Sequence, residues 1–139
     1  PLNMWFLGRV LEEKGDWAGA EAQFREGMAL DAEDPEYPHK VGRMLKKMDQ
    51  LAQAETMYRK VVEMEPRKAI RRWQLGLLLE QRGNWAGAEA QFKEGMALAP
   101  EDPHYARKVA EIKDKVRCEL EAQLNEARAA AAAAEAEAA

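Results

Sequence analysis

The stretch GDWAGAEAQFREGMAL at residues 15–30 returns almost unchanged as GNWAGAEAQFKEGMAL at residues 83–98. The second copy begins 68 residues after the first, which is twice 34, and a diverged third copy lies between them. A fixed repeat length of roughly 20 to 50 residues is typical of solenoids, in which each unit buries its apolar face against its neighbours. A length of about 34 predicts stacked helix pairs. It also directs the search for function to surface recognition rather than reaction chemistry.

Small and aromatic residues recur at fixed positions when the chain is aligned in rows of 34 that begin at residues 1, 35, 69 and 103. In the first three rows the eighth residue is always glycine, the twentieth is always alanine and the twenty-fourth is always aromatic: Gly8, Gly42 and Gly76, then Ala20, Ala54 and Ala88, then Phe24, Tyr58 and Phe92. The small residues allow two antiparallel helices to approach closely, and the aromatic ring fills the space beside them.

This pattern resembles the tetratricopeptide repeat (TPR) family, whose repeat has the form W-x2-L-G-x2-Y, then A-x3-F, then P. The match holds its register over residues 1–102. The resemblance implies an all-α fold, a right-handed α-solenoid of three antiparallel helix pairs followed by a long C-terminal capping helix. The expected units are three repeats at 1–34, 35–68 and 69–102, the capping helix at 103–128 and an Ala-rich tail at 129–139.

Turn and cap residues place the six repeat helices at about 2–14, 18–31, 36–48, 52–64, 70–82 and 86–98. Two turns combine a glycine that ends one helix with a side chain that caps the next, Gly15-Asp16 and Gly83-Asn84. Two other junctions combine a capping aspartate with a proline in the first turn, Asp34-Pro35 and Asp102-Pro103.

The segment after Pro103 begins like a further first helix but has no returning partner. Its apolar residues recur at spacings of three and four, namely Val109, Ile112, Val116, Leu120, Leu124 and Ala127. This spacing predicts an amphipathic helix of about 25 residues that covers the third repeat, as the end of a solenoid requires. Alternatively, its distal half from Leu120 to Ala127 packs on another chain. The Ala- and Glu-rich remainder is low in complexity and is assigned no function.

The N-terminal end of the expected solenoid has no capping helix. Pro1 occupies the same row position as Pro35 and Pro103, so we expect the chain to begin at a repeat junction, with further residues before it in a longer protein. The alternative is a contact between copies through this bare end, near Phe6 and Val10. Two surfaces are therefore candidates for homo-oligomer formation, the uncapped N-terminal face and the distal C-terminal helix.

Composition limits the class of protein. No apolar stretch reaches 18 residues, so no membrane span is expected. The formal net charge of −4 offers no basic footprint for nucleic acid. The single cysteine, Cys118, excludes an internal disulfide and fits a reducing compartment. These features predict a helical domain in the cytoplasm.

Residues for catalysis are scarce. The sequence has no serine and one threonine, and Cys118 has no histidine near it in sequence to act as a base. The two histidines, His39 and His104, lie about two repeats apart, too far to share a metal ion within one solenoid. No glycine run could cradle a phosphate. The sequence therefore predicts no catalytic residue, no cofactor and no metal site, and hence no enzyme.

The resemblance implies that the first helix of each pair lines a concave groove. The fifth and ninth row positions place seven candidate partner-binding residues there: Trp5, Arg9, His39, Arg43, Trp73, Leu77 and Arg107. Trp5 and Trp73 follow the family's usual tryptophan position by one residue, so they either face the groove or pack within the solenoid. Truncation of a groove tryptophan is often costly for binding.

Two interpretations apply to the groove charges. Neighbouring repeats could be bridged by exposed ion pairs, each of which contributes little to stability, among Glu12, Glu13, Lys46, Lys47 and Glu80. Arg9, Arg43 and Arg107 have no evident acidic match in sequence. These arginines are therefore the candidates for contact with a carboxylate or a backbone carbonyl of a ligand.

A protein-interaction scaffold, which binds a protein or peptide segment in the concave groove, is the function that the resemblance implies. The alternative is an accessory or oligomerisation domain of a larger enzyme, such as a bacterial cell-surface polysaccharide enzyme. An engineered repeat protein is disfavoured by the divergence of the second repeat. The carboxylate clamp of chaperone-binding relatives is not expected, because its positions here hold Trp5, Arg9, Lys40, Ile70 and Gln74.

Overall fold

The computed structural model describes residues 2–138, and within that range it contains seven α-helices and no strand. The helices are α1 (Leu2–Glu13), α2 (Trp17–Leu30), α3 (Glu36–Lys47), α4 (Leu51–Met64), α5 (Ala69–Gln81), α6 (Trp85–Leu98) and α7 (Pro103–Ala138). The all-α prediction is confirmed, and the six repeat helices begin and end within one residue of their expected bounds. The interpretation of Pro1 as a repeat junction lies outside the described residues.

Each helix packs against the next one along the chain. The connecting loops are short, which makes consecutive helices antiparallel neighbours. The α4–α5 contact, which joins the second helix pair to the third, is less extensive than the α2–α3 and α6–α7 contacts. The solenoid is therefore packed least extensively at its centre.

The turns follow the predicted chemistry, with one variation. Gly15 and Gly83 have φ angles of 79° and 77°, a left-handed conformation that glycine adopts without steric cost. The next residue caps the following helix in both turns, because Asp16 Oδ1 accepts a hydrogen bond from Gly19 and Asn84 Oδ1 accepts one from Gly87. The second repeat has Asp49 at the glycine position, with φ of 59°, and its α4 has no side-chain cap.

Within each pair an aromatic ring lies directly on a glycine. A Cβ atom added to Gly8 would lie 2.6 Å from Phe24 Cε1, and one added to Gly76 would lie 2.8 Å from Phe92 Cε1. Gly42 and Tyr58 repeat the arrangement in the second pair. These distances are shorter than two carbon atoms can approach, so the close packing expected of the glycine and aromatic rows is confirmed.

Between pairs a second ring lies on a second glycine. A Cβ atom on Gly27 would overlap the Tyr37 ring, and one on Gly95 would overlap the Tyr105 ring. The middle junction instead has Val61 and Arg71 at the corresponding row positions. The side chain of Arg71 is buried, and it forms ion pairs with Glu65 and Glu36.

The C-terminal helix is longer than expected. Tyr105, Val109 and Ile112 are buried against the third pair, as predicted for a cap, and Val116 is the last residue of α7 that is partly buried. The helix then continues through the Ala-rich segment to Ala138 without interruption. The expected length of about 25 residues was wrong because alanine is the strongest helix former and no glycine or proline follows Pro103.

The opposite end of the solenoid is open. Leu7 and Val10 of α1 are 46% and 44% exposed, whereas the residues at the same row positions in α3, α5 and α7 are buried: Val41, Leu75, Val109, Met44, Leu78 and Ile112. Phe6 beside them is also exposed. Among the described residues, no helix is both long and apolar enough to cross a membrane.

Truncation of a ring in the core tests the packing arrangement. Phe92 is fully buried between Gly76 and the rings of Trp73 and the capping helix. We expect Phe92→Ala to lower the free energy of unfolding by about 3–5 kcal/mol, measured by chemical denaturation. An unchanged midpoint would contradict the packing described.

Repair of the irregular turn should act in the opposite direction. Asp49→Gly with Gln50→Asn copies the turn of the third repeat, and we expect it to add about 1–2 kcal/mol of stability. The reverse exchange, Gly83→Asp with Asn84→Gln, is the matched control and should lower the melting temperature. Equal melting temperatures for all three proteins would show that these turns do not limit stability.

Candidate partner-binding groove

A cleft between α3 and α5 brings together three of the seven predicted groove residues. His39, Arg43 and Leu77 line a cavity of about 200 Å³, together with Lys46, Tyr58 and Gln74. A neighbouring cavity of about 430 Å³ is lined by Arg43, Lys46, Lys47, Tyr58 and Gln81. Because the two share Arg43, Lys46 and Tyr58, we describe them as one feature, the α3–α5 cleft.

The α3–α5 cleft is cationic. Its lining contains Arg43, Lys46 and Lys47 and no acidic residue. Among the described residues Lys46 has no ion-pair partner, and the Lys47 ammonium lies 5.5 Å from the centre of the Trp17 ring. A low-dielectric wall of Tyr58 and Leu77 lies beside these charges, which strengthens their attraction for an anionic group.

The expectation that Arg43 lacks an acidic match was wrong. Arg43 Nη2 lies 3.6 Å from Glu12 Oε1 on the preceding helix pair. Glu12 also binds the Lys40 ammonium at the shorter distance of 3.1 Å. Since the Arg43 side chain is 41% exposed, its guanidinium keeps open donors toward the cleft.

Glutamates do bridge neighbouring units, but through other lysines than expected. Glu80 pairs with Lys108 at 2.8 Å and with Lys115 at 3.4 Å, and so ties the third pair to α7. The Glu12–Lys40 contact is the same interaction one duplication earlier. Lys46 and Lys47 form no such bridge within the described part of the chain.

His39 forms the inner wall of the cleft. Its side chain is only 12% exposed and its ring stacks on Tyr58, with centroids 6.0 Å apart. Burial, and then the positive charge of Arg71, lower the pKa of His39 to about 4. The imidazole is therefore neutral near pH 7. Its buried Nδ1 atom has no hydrogen-bond partner.

The two groove tryptophans pack within the solenoid. Trp5 meets Phe24 and Tyr37 edge to face, with centroids 5.6 and 5.7 Å apart. Trp73 meets Phe92 and Tyr105 in the same way, at 5.2 Å in each case. Both indoles are partly buried. These contacts favour the packing interpretation, and a role in partner contact stays a prediction.

The remaining two arginines lie outside the cleft lining. Arg9 on α1 and Arg107 on α7 are exposed, and within residues 2–138 neither forms a hydrogen bond or an ion pair. Sequence reasoning did not select Lys46, Tyr58, Gln74 and Gln81 as groove residues. Lys46 was interpreted as a bridge and Tyr58 as core, so the signal was present but was assigned to structure.

Chemistry other than recognition finds little support in the described residues. No group of three or more His, Cys, Asp or Glu side chains within residues 2–138 could hold a metal ion. The α3–α5 cleft contains no serine, threonine or cysteine side chain.

Known proteins share this architecture. The sequence profile of the tetratricopeptide repeat family matches residues 45–112. The first TPR domain of Spaghetti (RPAP3), bound to the HSP90 peptide SRMEEVD, superposes with a TM-score of 0.72 at 16% identity, over 84% of this chain and 92% of that one. No curated protein matches the sequence significantly.

Two further structures have the same fold. The type III secretion chaperone SycD of Yersinia enterocolitica, in complex with a peptide of the translocator YopD, gives a TM-score of 0.72 at 20% identity, over 81% of this chain and 92% of that one. The TPR domain of Arabidopsis OM64 gives 0.69 at 16% identity, over 81% and 93%. At these identities the likeness concerns the fold.

Titration of His39 should make stability depend on pH. Because its pKa is about 4 in the folded chain and about 6.5 when unfolded, the unfolded chain binds the extra proton between these values. Stability should therefore fall as the pH is lowered from about 6.5 towards 4. We expect His39→Gln to reduce the difference in melting temperature between about pH 7.5 and pH 5.5. His104→Gln, at an exposed position, is the control; equal pH dependence in all three proteins would contradict the buried neutral imidazole.

Proposed function

We propose that this chain, which belongs to the tetratricopeptide repeat family, is a protein-interaction module that binds an acidic segment of a partner protein in its concave groove. The α3–α5 cleft carries the proposal, because three cations meet there without an acidic residue in the lining. His39, Arg43 and Leu77 form the centre of the proposed site. Trp5, Arg9, Trp73 and Arg107 are proposed to flank it on α1, α5 and α7.

The cleft offers a different contact to each part of an acidic peptide. The Arg43 guanidinium can donate two parallel hydrogen bonds to one carboxylate. Lys46 supplies a second, mobile charge, and Leu77 and Tyr58 supply apolar surface for an aliphatic stem. The side-chain amides of Gln74 and Gln81 can both donate to and accept from a peptide backbone. The neutral His39 ring can accept a hydrogen bond, which an imidazolium could not.

Structures with the same fold support this use of the groove. The RPAP3 domain was solved with a peptide whose sequence, SRMEEVD, is acidic at its end, and SycD was solved with a translocator peptide. Those partners belong to those proteins. For this chain they support the coarser inference that a peptide segment is the kind of ligand that fits the fold.

Charge reversal in the cleft tests the proposed function. Peptides are selected on the wild-type protein from a displayed random library, and their affinities are measured by fluorescence anisotropy. We expect acidic sequences to be enriched, and Arg43→Glu with Lys46→Glu to weaken their binding by about tenfold or more. The fold should persist, because Glu12 keeps its contact with Lys40.

The matched control reverses two exposed cations outside the cleft, Lys60→Glu with Arg67→Glu. This protein has the same net charge as the cleft variant, so it separates local contact from general electrostatic attraction. Wild-type affinity is expected for the control at moderate salt. Enrichment of peptides without acidic residues, or equal loss of binding in both variants, would contradict the proposed site.

A further inference from the structure

The distal half of α7 leaves an apolar stripe uncovered. Beyond Val116 the helix makes no buried contact with the solenoid, and Leu120 and Leu124 are 59% and 50% exposed. A groove of about 380 Å³ runs beside the stripe, between Glu89 of α6 and the side chains of Val116, Leu120 and Leu124. The stripe is therefore continuous with the interface that α7 already forms with α6.

The stripe changes from large to small residues along the helix. At 3.6 residues per turn, one face of α7 contains Leu120 and Leu124 and then three alanines, Ala127, Ala131 and Ala134. One flank of this face alternates in charge, with Arg117, Glu121, Arg128 and Glu135 in sequence order. A face that is large at one end and small at the other can complement its own copy only when the copy is reversed.

We propose that the distal half of α7 pairs with the same segment of a second copy of this chain, in antiparallel orientation. Leu120 then lies against Ala131 of the second copy, and Leu124 against Ala127. In this register the alternating flanks face each other, which places Arg117 near Glu135 of the second copy and Glu121 near Arg128. A two-fold axis makes every contact twice, so four complementary charge pairs line one flank of the stripe.

The charges favour this orientation over a parallel one. In a parallel pair equivalent residues face each other, so Lys113 and Arg117, which lie at the edge of the stripe, would approach their own copies. The alanines would also meet alanines and leave a gap beside the paired leucines. The antiparallel register instead sets Lys113 and Arg117 against the alanine end of the second helix, close to Glu135 and Glu137.

Charges within the single chain leave the flank available. Arg117 contacts Asp114 at 3.2 Å and Glu121 at 4.0 Å, and all three side chains are about two-thirds exposed. Exposed pairs of this kind contribute little and can exchange partners. Arg128 and Glu135 have no partner within the described residues.

The rest of the molecule permits the pairing. The overlap extends over about 25 residues of α7, or roughly 38 Å of helix, and it ends where the second helix reaches the groove beside Glu89. Alanine side chains are small enough to enter that groove. The pairing uses neither the α3–α5 cleft nor the open face of α1, so it is independent of the proposed peptide site.

The test measures the mass of the full chain by sedimentation equilibrium over a range of concentrations, with a reducing agent present because Cys118 is exposed. We expect a concentration-dependent dimer for the wild type and a monomer for Leu120→Glu with Leu124→Glu. Circular dichroism should show an unchanged solenoid, since both leucines lie beyond its core. A wild type that stays monomeric at all concentrations would overturn the proposal.

A charge exchange tests the register. Glu121→Arg and Arg128→Glu should each raise the dissociation constant of the dimer about tenfold, since each turns two attractive pairs into repulsive ones. The double variant should restore the wild-type constant. The control Glu126→Arg, on the opposite side of α7, should leave it unchanged.

Two results would overturn the antiparallel pairing. One is an equal effect of all three single reversals, without rescue by the double variant. The other is loss of the dimer in Val10→Glu but not in the Leu120 and Leu124 variant, which would assign the contact to the open α1 face.

Discussion

An aromatic ring that lies on a glycine backbone is the contact on which the rest of this solenoid depends. Phe24, Tyr58 and Phe92 fix the distance between the two helices of each pair, and Tyr37 and Tyr105 fix the distance between pairs at two of three junctions. Since no side chain larger than hydrogen fits under these rings, the helix spacing is set by covalent geometry and cannot relax gradually. The width of the α3–α5 cleft follows from that spacing, as does the position of its cations.

The middle junction departs from this arrangement, and the candidate site lies there. Arg71 takes the place of the tyrosine and is only 6% exposed, with Glu65 and Glu36 as ion-pair partners. A buried charge that is fully paired specifies one arrangement but adds little net stability. The same guanidinium helps to keep His39 neutral. Local departure from a repeat pattern often coincides with function, and here it widens the gap between α3 and α5 while it fills the junction below.

The sequence predicts helices here better than contacts. Period, caps and turn glycines are local or strictly repeated signals, and they located six helices within one residue. The partner of Arg43 was missed because Glu12 lies 31 residues away and meets it only through the rotation of one pair on the next. The tryptophans at positions 5 and 73 were ambiguous for the same reason, since one residue turns a side chain by about 100°. The helical continuation of α7 was underestimated because low complexity was given more weight than the helix propensity of alanine.

The near identity of α2 and α6 has a consequence for how the chain folds. Both helices present the same surface, to α3 in one case and to α7 in the other, and the contacts repeat down to Glu12–Lys40 and Glu80–Lys108. Each docking helix therefore meets two receptors of nearly equal affinity during folding. What distinguishes them is chain connectivity, because a linker of a few residues closes at a lower entropic cost than a loop through a whole repeat. The duplicated junction thus creates a kinetic competition that the shortness of the connecting loops resolves, and lengthening the loop between α2 and α3 would slow the search for the native pairing more than it would weaken the folded state.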